Sequence, residues 1–133
     1  MKNFINNITH GNLIDVVVSG YINAESPPVF HPMNERIYFI TNDVIFELYI
    51  DDGIILCNKL KSISTWFDLD EDDRFSLMSI YSQVFKTEQD VKITQVNYRE
   101  NPFSTIEFNY NDGGGEKQFF LDPNNFFGFT YYP

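Results

Sequence analysis

The sequence predicts an α+β fold, in which an antiparallel sheet of about six to eight strands packs on one main central helix near residues 70–86. The chain is rich in residues that favour strands, with 14 Phe, 8 Tyr and an aromatic fraction of 17%. Residues 69–86 have a convincing helical period, and strand-like runs lie on both sides of them. A length of 133 residues fits a single domain, residues 1–133. We expect its sheet to be strongly bent or split into two parts.

The first half of the chain predicts strands joined by one long loop. Residues 13–22 read LIDVVVSGYI, and their β-branched side chains favour a strand. Residues 23–35 contain three prolines, which lack a backbone N–H donor, so we expect a surface loop there. Residues 36–61 read as a three-stranded meander with turns rich in Asn, Asp and Gly.

The middle strand of this meander alternates in polarity. Phe46 and Leu48 belong to the set predicted to face the core. Glu47 and Tyr49 belong to the opposite set, which we expect to face solvent or a partner.

The predicted central helix has an acidic beginning and two distinct faces. Asp70 is the predicted N-cap, and Glu71, Asp72 and Asp73 fall in the first turn, where each would complement the helix dipole by about 0.3–1 kcal/mol. The polar stripe is Asp72, Ser76, Ser79, Gln83 and Lys86, and the apolar stripe is Leu77, Met78, Tyr81, Val84 and Phe85. This pattern predicts an amphipathic helix lying on a sheet face.

The last third of the chain again predicts strands, at residues 91–99, 104–110 and 116–121. The tail, residues 124–133, is predicted to form a final strand or an aromatic clamp that closes the core. The C-terminal aromatic residues are Phe119, Phe120, Phe126, Phe127, Phe129, Tyr131 and Tyr132. Core packing is the expectation for most of them, and an exposed subset would mark a binding surface.

Charge and composition narrow the classes of function. The formal net charge is −10, from 19 acidic against 9 basic residues. Such a field argues against binding to nucleic acid or to an anionic membrane surface. It is compatible with steering towards a basic protein, or with solubility alone. No apolar run approaches the ~20 residues that span a bilayer, and the N-terminus lacks a secretory signal, so we expect a cytoplasmic protein.

No stretch carries a catalytic, cofactor or metal motif. His10 and His31 are isolated, and the single cysteine, Cys57, lies in an apolar run typical of a buried thiol. The glycines at 113–115 are not followed by the Lys-Ser/Thr of a phosphate-binding loop. We therefore predict a protein that is not an enzyme and uses no cofactor and no metal.

The acidic cluster carries the functional prediction. Asp68, Asp70 and Asp72 have the first three spacings of a calcium loop, but Asp73 stands where that loop needs Gly and Ser79 where it needs Glu. We instead expect a surface for a basic partner. The predicted partner-binding residues are Asp68, Asp70, Glu71, Asp72 and Asp73, with Trp66 and Tyr131 as aromatic anchors.

These observations predict a small acidic cytosolic protein that neutralises a basic protein by occlusion. Immunity proteins and inhibitors of bacterial toxins, nucleases among them, have this general character: compact, acidic and without catalytic motifs. The alternatives are a small-molecule-binding or enzymatic α+β domain, and a structural subunit of a phage or secretion assembly.

Overall fold

The computed structural model describes residues 1–125 and 128–133. The protein is mostly β, with 50% of its residues in strands and 11% in helices, so the prediction of an α+β fold built on one central helix is wrong. Helix α1 spans Lys2–His10 and helix α2 spans Tyr81–Phe85. The strands are β1 (Leu13–Ile22), β2 (Phe30–Pro32), β3 (Arg36–Thr41), β4 (Ile45–Asp51), β5 (Ile54–Leu60), β6 (Arg74–Ser79), β7 (Lys92–Asn97), β8 (Ile106–Asn111), β9 (Glu116–Asn125) and β10 (Gly128–Tyr132).

The strands form two antiparallel sheets. Sheet A has the order β2-β1-β3-β4-β5, and β6 also pairs with β1. Val17 of β1 is paired with both Tyr38 of β3 and Ser79 of β6, so β6 lies on the opposite side of β1 from β3. β6 and β5 are therefore the two far edges of sheet A. Sheet B has the order β10-β9-β8-β7.

The core lies between the inner faces of the two sheets. Phe39 of sheet A stacks on Phe108 of sheet B with ring centroids 5.4 Å apart, and Phe108 stacks on Phe119 at 4.5 Å. Phe4 of α1 contacts both Phe39 and Phe108 edge-on, at 5.1 and 6.3 Å. The arrangement is a two-layer sandwich with one aromatic core.

The predicted helix at residues 70–86 is replaced by a strand and a short helix. Residues 74–79 pair with β1 along their whole length, and only residues 81–85 are α-helical. The buried residues of α2 are Tyr81, Val84 and Phe85. Their spacing is helical, as the sequence pattern indicated, but the helix is little more than one turn long. Leu77 and Met78, assigned to the same apolar stripe, lie on opposite faces of β6 because strand side chains alternate. Pairing with β1 overrides the local pattern.

Helix α1 is an element that the sequence interpretation missed. Its buried residues, Phe4 and Ile8, are four apart and so lie on one face of the helix. The remainder of the segment is rich in Asn and Thr, which have low helix propensity. The helix is therefore stabilised mainly by packing of Phe4 and Ile8 into the aromatic core.

The remaining predicted segments are the first strand, the meander, the proline-rich segment and the tail. Strand β1 and the meander of β3, β4 and β5 form where they were expected. The proline-rich segment contains the short strand β2, whose Pro32 lies at the edge of sheet A, where a missing N–H is tolerated. The tail forms β10, with Phe129 in the core and Tyr132 exposed. The predictions for Phe126 and Phe127 lie outside the described residues.

Candidate functional site: an acidic turn on a strap across sheet A

The segment 61–73, here called the strap, crosses the outer face of sheet A. It leaves β5 at one edge of the sheet and enters β6 at the other, so it must pass over the strands between them. The inner face is filled by the core shared with sheet B, which leaves the outer face for the strap. The strap contains no helix or strand.

Trp66 anchors the strap to the sheet. Its indole N–H donates a hydrogen bond of 2.7 Å to the hydroxyl of Ser19 on β1. The guanidinium of Arg36 on β3 lies 4.4 Å from the indole ring centroid, a cation–π distance. Phe67 packs near Tyr21 and Phe75, at 6.3 and 5.8 Å between ring centroids. The strap is therefore held at fixed points on β1, β3 and β6.

Arg36, which contacts Trp66, also forms a partly buried ion pair with Glu47 of β4. Arg36 Nη1 donates to Glu47 Oε2 at 3.0 Å, and Asn58 Nδ2 donates to Glu47 Oε1 at 3.1 Å. The Glu47 side chain is only 6% exposed. A buried carboxylate needs such partners, because desolvation without them is costly. We expected Glu47 to face solvent or a partner. It does lie on the outer face, but it is buried there and bound within the chain.

Tyr38 lies beside Glu47, as its cross-strand neighbour under the strap. Its hydroxyl is fully buried and has no hydrogen-bond partner in the part of the chain that the structure describes. Burial raises the pKa of Tyr38 to about 12, and the nearby Glu47 carboxylate adds to the rise while the Ser19 hydroxyl opposes it. A buried hydroxyl left without a partner costs about 1–3 kcal/mol.

The five acidic residues that were predicted to bind a partner lie together at the end of the strap. We call Asp68, Asp70, Glu71, Asp72 and Asp73 the acidic turn. The N–H of Asp73 donates to the carbonyl of Asp70 at 3.0 Å and closes the turn directly before β6. Asp73 is partly buried and the other four are exposed. None of the five forms an ion pair with another described residue.

This geometry changes the interpretation of the acidic residues. Asp70 is not an N-cap, because the chain continues from the turn into β6 and not into a helix. The carboxylates therefore gain no stabilisation from a helix dipole. Asp is common in turns, where its side chain can bond to nearby backbone groups. Five carboxylates in six positions exceed what one turn requires.

The structure places Tyr131 in a different part of the molecule. It lies on β10 of sheet B and lines a cavity of about 300 Å³ together with Met78 of β6. The acidic turn leads directly into β6, so β6 adjoins both the turn and the Tyr131 cavity. Trp66, in contrast, lies on the same strap as the acidic turn.

Two further features bear on the alternative functions. A cavity of about 430 Å³ with a mixed polar and aromatic lining lies around the segment between β7 and β8 and includes Arg99, Phe103 and Glu107. It contains none of the predicted site residues. Across residues 1–125 and 128–133, no group of three or more His, Cys, Asp or Glu side chains is placed to hold a metal ion. Burial raises the pKa of the Cys57 thiol to about 11, which disfavours its reactive thiolate form.

We compared the chain with known protein families, curated proteins and solved structures. No protein-family model, curated protein or solved structure matches this chain. Among the described residues, neither helix is long and apolar enough to cross a membrane.

Proposed function

We propose that this protein is a small acidic binding protein that neutralises a basic protein partner by occlusion, in the manner of an immunity protein or inhibitor of a bacterial toxin. The observation that carries the proposal is the acidic turn. Its carboxylates lie on an anchored strap and have no ion-pair partner among the described residues. Lys and Arg side chains of a second protein are the groups that complement such a surface.

The strap supports this role by limiting the motion of the acidic turn. Trp66 is fixed through Ser19 and Arg36, and Phe67 packs beside β6. A segment that is already ordered loses less conformational entropy when a partner binds. Trp66 was predicted as a contact residue, and its partly buried ring leaves it able to contribute to the interface. In this proposal its first task is to hold the acidic turn in position.

The net charge of −10 supports the same mechanism at longer range. Complementary charge accelerates protein association towards 10⁸–10⁹ M⁻¹s⁻¹, compared with about 10⁵–10⁶ M⁻¹s⁻¹ without steering. Salt weakens this effect, since the Debye length falls to about 8 Å at physiological ionic strength. A toxin inhibitor benefits from fast association, because it must reach its target before the target acts.

The first experiment is co-purification of the tagged protein with the basic proteins encoded beside it. The bound partner is then tested against a variant carrying Asp70→Asn, Glu71→Gln, Asp72→Asn and Asp73→Asn. We expect slower association at low salt with an unchanged fold, because all four positions lie on the strap. A protein that binds no basic neighbour contradicts the proposal, as does unaltered growth when the gene is deleted.

A control variant separates the acidic turn from net charge. Asp43, Asp51, Glu88 and Glu100 are exposed and lie outside the strap. Neutralising these four changes the net charge by the same amount as the acidic-turn variant. We expect the control to retain most of the association rate. Equal slowing of both variants would mean that the overall field is sufficient and that the acidic turn has no special role.

One observation favours a second candidate, a structural subunit of an assembly. In the described sheets β6 pairs on one side only, and Leu77 and Met78 on it are 45% and 37% exposed. An open apolar strand edge is a typical site of self-association. Stable homo-oligomers in size-exclusion chromatography over a range of concentrations would support this candidate, and a monomer at all concentrations would oppose it.

A further inference from the structure

The open edge of β6 presents backbone groups in a defined register. Within the part of the chain that the structure describes, β6 pairs with β1 alone. The N–H of Ile80, just past the end of β6, donates to the carbonyl of Val16 at 2.8 Å. Bonded and non-bonded pairs alternate along an antiparallel ladder. Ser76 and Met78, which share the parity of Ile80, therefore direct their backbone N–H and C=O groups towards β1.

The residues of β6 between these direct their backbone N–H and C=O groups away from β1, towards the open edge. Phe75, Leu77 and Ser79 lie at the non-bonded positions of the β1–β6 ladder, so their N–H and C=O groups point to the open edge. A bond on the other side of β1 supports this parity. Ser19, the pair of Leu77, accepts at its carbonyl from the N–H of Met33 at 2.8 Å, so its backbone carbonyl faces away from β6.

Apolar side chains flank this edge on both faces of sheet A. Leu77 is 45% exposed on the outer face, next to the end of the strap. On the inner face Met78, Ile80 and Val18 line the cavity of about 300 Å³, and Phe129 and Tyr131 of β10 form its opposite wall. An added strand would place alternate side chains against Leu77 and into this cavity.

We propose that the β6 edge receives an extended, lysine- or arginine-bearing segment of the basic partner, which adds to sheet A as a further strand. This inference rests on the proposed function and names the binding mode. Backbone bonds to Phe75, Leu77 and Ser79 provide the pairing, and the Tyr131 cavity takes an apolar side chain. The acidic turn continues into β6 without a break, so basic residues of the added strand meet it at the Arg74 end.

Charge selects the occupant of this edge. The stretch from Asp68 to Arg74 contains five acidic residues and one basic residue, a net charge of 1 − 5 = −4. A second copy of this chain would bring another acidic turn and a second net charge of −10 to the interface. Like charges at an interface are strongly unfavourable. A basic segment turns the same carboxylates into attractive contacts.

The register predicts a pattern of amide hydrogen exchange in the protein alone. We expect the Ser76 and Met78 amides to exchange slowly, because they bond to β1, and the Phe75, Leu77 and Ser79 amides to exchange quickly. The probe for binding is a blocked synthetic peptide of about eight residues that alternates lysine and valine. Its binding should slow exchange at Phe75, Leu77 and Ser79 and leave the other two amides unchanged.

A matched pair of variants tests the backbone contribution. Leu77→Pro removes an outward N–H without removing a bond to β1, and edge strands tolerate proline. Leu77→Ala removes most of the same side chain and keeps the N–H. We expect Leu77→Pro to weaken peptide binding at least about tenfold more than Leu77→Ala does. If the proline variant fails to fold, the exchange pattern of the wild-type protein with peptide still decides the question.

Four results would overturn the inference. The lysine–valine peptide could fail to bind, or bind without protecting Phe75, Leu77 and Ser79. A glutamate–valine peptide could bind equally well, which would remove the role of charge. Exchange at the three amides could slow as the concentration of the protein alone rises, which would show that a second copy occupies the edge. A cognate partner that binds the wild type without slowing exchange at Phe75, Leu77 and Ser79, and that no longer binds the acidic-turn variant, would overturn this inference and leave the proposed function standing.

Discussion

Replacing Tyr38 by phenylalanine tests the outer-face network beneath the strap. The Tyr38 hydroxyl is buried without a hydrogen-bond partner among the described residues, and the whole side chain is buried. Phenylalanine keeps the ring and removes the unsatisfied group. The desolvation penalty of such a group is about 1–3 kcal/mol, so Tyr38→Phe should raise the free energy of unfolding by that amount. For a chain of this size, each kcal/mol corresponds to about 3–5 °C in Tm.

The Tyr38 hydroxyl also makes the free energy of unfolding fall at alkaline pH. The pKa of Tyr38 rises from 10.0 to about 12 on folding, chiefly through burial. Ionisation of this group therefore leaves the free energy of unfolding unchanged below pH 10 and lowers it as pH rises from 10 through 12. A difference of two pKa units corresponds to a loss of about 2–3 kcal/mol. Tyr38→Phe should remove this part of the alkaline loss.

The assay is urea denaturation followed by circular dichroism at pH 8 and at steps between pH 10 and 12. Tyr110→Phe is the matched control, since the buried Tyr110 hydroxyl donates to the Phe85 carbonyl at 3.1 Å. The same substitution there should destabilise the protein by about 1–2 kcal/mol. A Tyr38→Phe variant that is less stable than wild type would show the opposite, that Ser19 or Glu47 bonds to the hydroxyl.

Two further substitutions test the strap and the sheet junction. Trp66→Phe removes the hydrogen bond to Ser19 and weakens the cation–π contact with Arg36. We expect limited proteolysis to cut residues 61–73 faster and the free energy of unfolding to fall by about 1–3 kcal/mol. Unchanged proteolysis would mean that other contacts hold the strap. Gly128→Ala places a Cβ 2.4 Å from the Asn34 carbonyl group, at a residue whose φ is +110°. We expect the free energy of unfolding, measured by thermal denaturation, to fall by a few kcal/mol. An unchanged Tm would contradict this close approach.

Much of sheet A could be predicted because local signals agree with the final pairing. Residues 13–22 are rich in β-branched side chains, and the turn at 51–53 contains Asp52 and Gly53 at positive φ, as a tight hairpin requires. Leu48 is buried on the inner face, as alternation indicated. In these segments propensity, polarity and turn chemistry all favour the same structure.

The sequence interpretation failed where tertiary pairing decides the conformation. Residues 74–79 carry apolar side chains at spacings that suit a helix with Tyr81 and Phe85, but β1 offers them a full strand partner. Helix α1 has weak propensity and depends on its contacts with the aromatic core. Neither outcome is visible within one local window of the sequence.

The candidate site was predicted in part. The acidic turn is visible as a run of carboxylates, and Trp66 lies on the same strap. Arg36 and Glu47 are distant from the strap in sequence and belong to no motif, so neither the contact of Arg36 with Trp66 nor its ion pair with Glu47 could be derived. One signal was available: Tyr49 and Ile45 share the outer face of β4 with Glu47, and such an apolar face indicates that a further segment covers it.

The role of the acidic turn is measured by the association rate of the cognate basic partner, followed by stopped flow across a range of salt concentrations. We predict that neutralising residues 70–73 slows association at low salt and flattens its salt dependence, whereas neutralising Asp43, Asp51, Glu88 and Glu100 leaves both nearly unchanged. Equal association rates for the wild type and the acidic-turn variant at low salt would show that these carboxylates do not steer the partner. The acidic turn would then be only a solvated loop at the start of β6.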